Sequence, residues 1–388
     1  MSNIILKGNT SGQVTIAAPD VGNNNTLTLP STSSTLATQN ALGVRNLIIN
    51  GDMRIDQRNA GSSVTISSAL YTLDRWQATQ SVSSKYSVQQ VTDAPTGATH
   101  SLKATSLSAY TVGTSESFVI RQQIEGNNIA HLDWGTSNAK TVTLSFWVKS
   151  SLTGTFGAII KSNAGGRTYP VTYDIDSANT WEQKSITIPG DTTGTWLTTN
   201  GVGIQVVFNI GTGASLSGTA NTWSSTNYNS ATGATSLLAT NGATLQLSLI
   251  QLEVGDTATP FEHRPYDMEL ARCKRYCHVI ESTSVTGRQT ICSACSHTTT
   301  AGIGFLQLPV EMRTLPSLSL SAVGHWAVHM PGINRSVLTA LALGANGDQK
   351  SLYITYSHAS HASYGSMKYV FIDTWSAGTG QFILSAEL

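Results

Sequence analysis

Charge is scarce in this chain. Only 11% of its 388 residues are Asp, Glu, Lys or Arg, well under half the roughly 25% of an average soluble protein. The 22 basic and 22 acidic residues cancel. No basic patch stands out to displace counterions, which excludes nucleic acid as the expected partner. Long apolar runs are missing too. No stretch approaches the roughly 20 residues of a membrane-spanning helix, so no membrane insertion is expected. The apolar run in "MSNIILKGNTSG" is too short for a secretory signal, and the expectation is a soluble protein made in a cytoplasm. Cysteine is confined to Cys273, Cys277, Cys292 and Cys295. A fold built on disulfides would spread its bridges along the chain, so burial has to hold most of this one together. Catalytic signatures are also absent: there is no G-x-S-x-G elbow, no H-E-x-x-H helix and no phosphate-cradling loop.

What fills the space is Ser, Thr, Gly and Asn around short apolar alternations. Thr favours strands, and Gly and Asn supply the positive-φ positions of turns. In "KTVTLSFWVKSS" Val142, Leu144, Phe146 and Val148 share one face. "QKSITIPG", "GVGIQVVFNIG" and "ATLQLSLIQLEVG" repeat the pattern between turn clusters. The fold class expected is all-β: an antiparallel β-sandwich of jelly-roll type, a short helix, and a second, smaller β-domain. Four regions follow. Residues 1–45 hold two short strands around Val14/Ile16 and Leu27/Leu29 and then a linker; two strands cannot bury a core, so this segment needs a partner. Residues 46–262 form the jelly roll. Residues 263–276, "HRPYDMELARCKRY", read as a helix, with Pro265 at its start, Asp267 and Glu269 early, and Arg272, Lys274 and Arg275 late. Residues 277–388 form the second β-domain.

Five motifs in order, "NLIINGDMRIDQRNAG…YTLDRW", "QQIEGNNIAHLDWGTSNAKTVTLSFWVKSSLTGTFGAII", "YPVTYDIDSANTWEQKSITIPGDTTGTW", "QLEVGDTATPFEHRPYDMELARCKRY" and "FLQLPVEMRTLPSLSL…ILSAEL", resemble bacteriophage tail-fibre and receptor-binding proteins. The central part of that family looks like a carbohydrate-binding-module jelly roll. "SGQVTIAAPDVGNNNTLTLPSTSSTLAT" resembles the short attachment segment that precedes such domains. The resemblance implies a virion protein assembled in the host cytoplasm, a homotrimer gripped by other tail or adaptor proteins through residues 1–45. It also implies a distal domain that meets host surface polysaccharide. A head fibre or capsid decoration protein and a surface-glycan depolymerase are the alternatives. Cys277 stands where the family commonly has Tyr.

Candidate site residues follow from chemistry. Asp174 and Asp176 in "YDIDS" are two apart, the spacing that puts paired carboxylates on one strand face; a solvated face is the competing reading, and no enzyme is expected. Cys273-x3-Cys277 and Cys292-x2-Cys295 supply four thiolates for a zinc site, with a disulfide or buried thiols as alternatives. Seven of the nine histidines follow residue 262, among them His325, His329, His358 and His361. For sugar binding, Trp147 alternates out of phase with Phe146 and faces outward as a stacking platform. In the second β-domain Trp326, Tyr364 and Trp375, flanked by His325, His358 and His361, pair aromatic faces with polar neighbours. The charged run Asp52, Arg54, Asp56 and Arg58 follows the strand-like "NLII". Related sandwiches often hold a structural calcium near such a strand end, and Glu253 of "QLEVG" is the partner expected for Asp52.

Overall fold

A computed structural model describes residues 45–163, 166–281, 290–330, 335–345, 347–359, 368–374 and 380–388, together with the backbone of residues 4–7 and 13–16. The chain separates into two compact units, residues 1–42 and 43–388. In the first, Gln13–Ile16 pairs antiparallel with Ile4–Lys7. The strand read around Val14 and Ile16 is present, but its partner is the apolar "IILK" run, and Leu27 and Leu29 lie outside the described residues.

The second unit begins with two six-stranded antiparallel sheets packed face to face, the jelly roll. The first sheet runs in the order Thr168–Ile175, Gly154–Ser162, Val202–Thr212, Ser117–Glu125, Trp76–Gln80, Leu70–Leu73. The second runs Glu182–Ile188, Val142–Ser150, Thr244–Val254, Ser101–Ser106, Tyr86–Val91, Val64–Thr65. Alternation decides what lies between them. Val142, Leu144, Phe146 and Val148 are all at most 1% exposed, and Phe146 meets Phe208 of the facing sheet edge to face at 5.1 Å. Each such aromatic contributes about 1.5–3 kcal/mol by leaving water. At one end Trp134, Trp196 and Trp223 pack edge to face, 4.6–5.7 Å apart. Arg167 and Asp191 close over them through a bidentate ion pair of 2.6 and 2.8 Å.

One loop departs from sandwich regularity. Residues 219–231 cross the outer face of the first sheet, and Tyr228 covers Val119, Ile159 and Val207 there. Gly218 makes room for it: a Cβ at that position would stand 2.3 Å from the Tyr228 ring.

The helix is shorter than the sequence predicts, Tyr266–Lys274 behind Pro265. Beyond it, Cys277–Glu281, Gln381–Ser385 and Ser317–Leu320 form a three-stranded sheet beside a closed barrel. The barrel's order is Thr290–Ser296, Ala301–Gln307, Ser351–His358, Ser336–Leu343, Trp326–His329, Lys368–Thr374. Among the described residues no helix is long and apolar enough to cross a membrane.

Candidate functional site

The charge cluster after "NLII" is a structural seam. Asp52 lies 2.9 Å from Arg54 Nε. Asp56 accepts the backbone N–H groups of Asn59 and Gly61. Asp74 accepts that of Gln57 at 2.7 Å, and burial pushes its carboxyl up to about 6. Arg264 donates to the Ile48 carbonyl and to Glu262 and Glu269, tying the helix to the first loop. Arg58 and Arg75 meet Glu387, which returns from the end of the second β-domain. The calcium expected at Asp52 and Glu253 falls on two carboxylates that protein groups already engage. Glu253 accepts from the backbone N–H and hydroxyl of Thr259 and from Gln251. With Asp52 held by Arg54, each carboxylate has its own protein partners, and among the described residues no group of three His, Cys, Asp or Glu side chains gathers as a metal site.

The zinc reading is corrected. Cys292 and Cys295 are three apart on one strand, which turns them to opposite faces: Cys292 enters the barrel core and Cys295 pairs across to Ile303 and Tyr369 on the outside. Cys273 packs in a separate cluster with Ile49, Ile55 and Tyr276. All four cysteines are free. Burial pushes the Cys292 thiol up to about 12 and those of Cys273 and Cys277 well above the ordinary range. In this setting burial favours the protonated thiol at all three, and they pack as small apolar groups.

In the second β-domain the platform readings of Trp326 and His358 do not hold. Closing a sheet into a barrel sends alternate residues inward. Trp326 is fully buried against Phe382, and His358 is 3% exposed beside Ser336. His325 sits in a 3-10 turn ahead of the strand that carries His329, so the two do not share a strand face. His325 remains half-buried within reach of Ser321. Tyr364, Trp375 and His361 lie outside the described residues.

What the fold does assemble is an aromatic face on the outside of the second sheet. Phe146 points inward, so Trp147 points out. Gln183 and Ser248 flank it on the two neighbouring strands. The Thr244–Val254 strand bulges after Ser248, with Leu249 in the left-handed region at φ 51°. This extra residue keeps Ile250 in the core while Leu249 lines the outer surface. Gly51 lets the first loop close over the bulge, because a Cβ there would meet the Ile250 carbonyl oxygen at 2.2 Å. The result is an open cavity of about 430 Å³, lined by Trp147, Gln183, Leu249, Thr96 and the Thr259–His263 segment. Within that lining Phe261 and His263 pack edge to face at 5.0 Å.

A second indole lies alongside. Trp181 stands two residues before Gln183, just ahead of the Glu182–Ile188 strand, with the Lys149 ammonium 5.9 Å from its ring centre. Its Nε1–H donates to Asp93, which also accepts from Lys149 at 2.6 Å and Gln246 at 3.0 Å. The hydrogen bond from Lys149 is the main reason the Asp93 carboxyl is held below the usual carboxylate range. Trp181, Lys149, Asp93 and Gln183 were not singled out from sequence. The signal was available in "TWEQKSITI", where Ile186 and Ile188 set an inward phase that leaves Trp181 and Gln183 outside. Chemically, the face offers two ring surfaces with amide, hydroxyl, ammonium and carboxylate groups at their edges.

No protein-family model matches the chain, and no curated protein matches it in sequence. Solved structures that resemble it include the enzymatically active domain of tailspike protein 4 from bacteriophage CBA120, at 12% identity and a TM-score of 0.30. The match covers 54% of this chain and 21% of that one. Another is the TmCBM61 carbohydrate-binding module in complex with β-1,4-galactotriose (14% identity, TM-score 0.27, 55% of this chain and 100% of that one). A third is the family 11 module from Clostridium thermocellum with a mixed-linked tetrasaccharide (13%, 0.26, 51% and 97%). These are loose likenesses of the sandwich.

Proposed function

We propose that this chain is a bacteriophage tail-fibre protein that adsorbs its virion to host surface glycan, and that it binds the glycan without cleaving it. The observation that carries the binding reading is the Trp147–Trp181 face: two half-buried indoles, Trp147 paired with Gln183 and Trp181 two residues before Gln183, edged by Gln183, Asp93 and Lys149. Sugar rings present apolar C–H faces and hydroxyl edges, which such a surface matches in both respects. The virion assignment is supported by the five tail-fibre-like motifs in order. The non-enzymatic reading is supported by the setting of Asp174 and Asp176. Both carboxylates are exposed, Asp174 accepting from the Thr155 hydroxyl and Asp176 lying 3.6 Å from Lys184.

Homotrimeric assembly belongs to the same proposal, because three weak sites on one particle gain avidity. The barrel supplies a surface suited to a second copy of the chain. Phe305 and Tyr369 are 63% and 62% exposed, beside Tyr353, Phe371 and Ile303. An exposed apolar patch of this kind marks an interaction site.

The test is binding of purified host surface polysaccharide to wild type, Trp147→Ala and Trp181→Ala. Losing one stacking surface should cost about 1.5–3 kcal/mol, a roughly 10- to 150-fold weaker Kd. Binding by Trp147→Ala that equals wild type refutes the assignment of the face. Release of reducing sugar during the incubation refutes the non-enzymatic reading, and a monomer by light scattering refutes the trimer.

A further inference from the structure

Among the described residues three cationic side chains are buried: Arg75, Arg264 and Lys161. Arg75 faces Glu387, and Arg264 faces Glu262 and Glu269. Lys161 is 5% exposed and faces no carboxylate. Its Nζ donates to two neutral amide oxygens, Asn229 Oδ1 at 2.6 Å and Asn227 Oδ1 at 3.2 Å, both on the loop that crosses the first sheet. A second cation stands nearby. Arg121 donates to Gln77 Oε1 at 2.8 Å and Gln205 Oε1 at 3.1 Å, again neutral partners only. Register places Lys161 directly opposite Gln205 and Arg121 opposite both Val207 and Gln77. Both cations therefore flank Gln205 on one outer face. Burial first, and then the neighbouring Arg121, push Lys161 down to about 8. Leaving two like charges together in a desolvated setting is unfavourable unless an anion joins them.

We infer that the outer face of the first sheet is a second binding site, in which Lys161 and Arg121 hold the carboxylate of an acidic saccharide over Gln205. The amides around the cations suit the rest of such a ligand. Asn227, Asn229, Gln77 and Gln205 each accept through oxygen from a cation; Gln205 also donates to the Ser162 carbonyl at 3.4 Å, and the remaining NH2 hydrogens can donate to hydroxyl or carboxylate oxygens. Tyr228 and the Ile159–Val207 surface wall one side, while Arg121 stays partly exposed on the other. An acidic sugar enters from the Arg121 side. The inference shares with the proposed function only the idea that the ligand is a saccharide. Its site, residues and probe are separate.

The test is a thermal melt of the full chain in sodium glucuronate, sodium acetate, D-glucose and sodium chloride at matched concentration. Glucuronate should raise Tm saturably, by roughly 2–4 °C above the chloride control, and glucose should not. Lys161→Met should lose the shift and, in chloride alone, melt no lower than wild type, because it removes an uncompensated buried charge. Arg121→Gln should weaken the shift if Lys161→Met proves hard to produce. Trp147→Ala should keep it in full, which separates this site from the aromatic face. A glucuronate shift no larger than that of chloride, or one that survives Lys161→Met, overturns the site. An acetate shift equal to that of glucuronate overturns the saccharide.

Discussion

Glu387→Gln tests whether the seam between jelly roll and second β-domain depends on a buried charge. In the folded chain Glu387 is 6% exposed at its side chain and lies between Arg58, 3.1 Å away, and Arg75, which is 1% exposed. Arg75 is further fixed over the Tyr276 ring at 3.6 Å and donates to the Gln123 carbonyl, so it cannot swing out to water. The substitution keeps the shape and removes the charge, which leaves Arg75 with no carboxylate partner among the described residues and Arg58 with only Asp74, in a desolvated setting. Breaking a buried pair in this way costs about 3–5 kcal/mol. For a β-domain of this size that is a fall in melting temperature on the order of 10 °C. The assay is differential scanning calorimetry, with tryptophan fluorescence in urea as a second probe. Pairing Arg75→Met with Glu387→Leu should recover most of the loss, since an apolar pair of similar volume needs no compensation. If Glu387→Gln melts within about 2 °C of wild type, the seam is not held by this pair and the reasoning fails.

Other consequences can be checked directly. Burial, and then Lys274, hold His278 down to about 4 from 6.5. Its unfolded form therefore binds the proton more tightly, and the stability it supports is present above pH 6.5 and lost as pH falls toward 4. His278→Gln should gain on wild type across that window by up to about 3 kcal/mol in urea titrations; a difference independent of pH refutes the assignment. Gly218→Val should displace Tyr228 and destabilise the protein by about 1–3 kcal/mol in the same assay, and an unchanged melt would show that the loop does not lie where described. Thiol titration with a colorimetric disulfide should leave Cys273, Cys277 and Cys292 unlabelled until denaturant is added; native labelling of any of them contradicts their burial.

Much of the fold was legible because strand alternation is a local signal. Phe146 inside and Trp147 outside can be read from nine residues, and the Thr168–Ile188 region carries the same information. Misreadings arose where a local pattern has two meanings. "ICSACS" has the spacing of a metal knuckle, yet on a strand the same spacing separates the thiols. "HWAVH" has the composition of a sugar platform, but barrel closure turns Trp326 inward. Asp52 finds its charge partner two residues away at Arg54, while its distant candidate Glu253 is already occupied by Thr259. The Lys161–Arg121 face is the opposite case: Gln77, Arg121, Lys161 and Gln205 come from four strands, and nothing local marks any of them as a set.

The seam also sets an order of events. Arg75 and Glu387 are 312 residues apart in the chain, while each six-stranded sheet pairs mostly within the jelly roll's own residues. A chain emerging at about 5–20 residues per second exposes Arg58 and Arg75 well before their carboxylate exists. The sandwich can close in that interval, but the two guanidinium groups must wait in water. Docking of the second β-domain accordingly follows closure of the sandwich, and a chain interrupted before Glu387 would carry a jelly roll whose flank keeps Arg58 and Arg75 without that carboxylate.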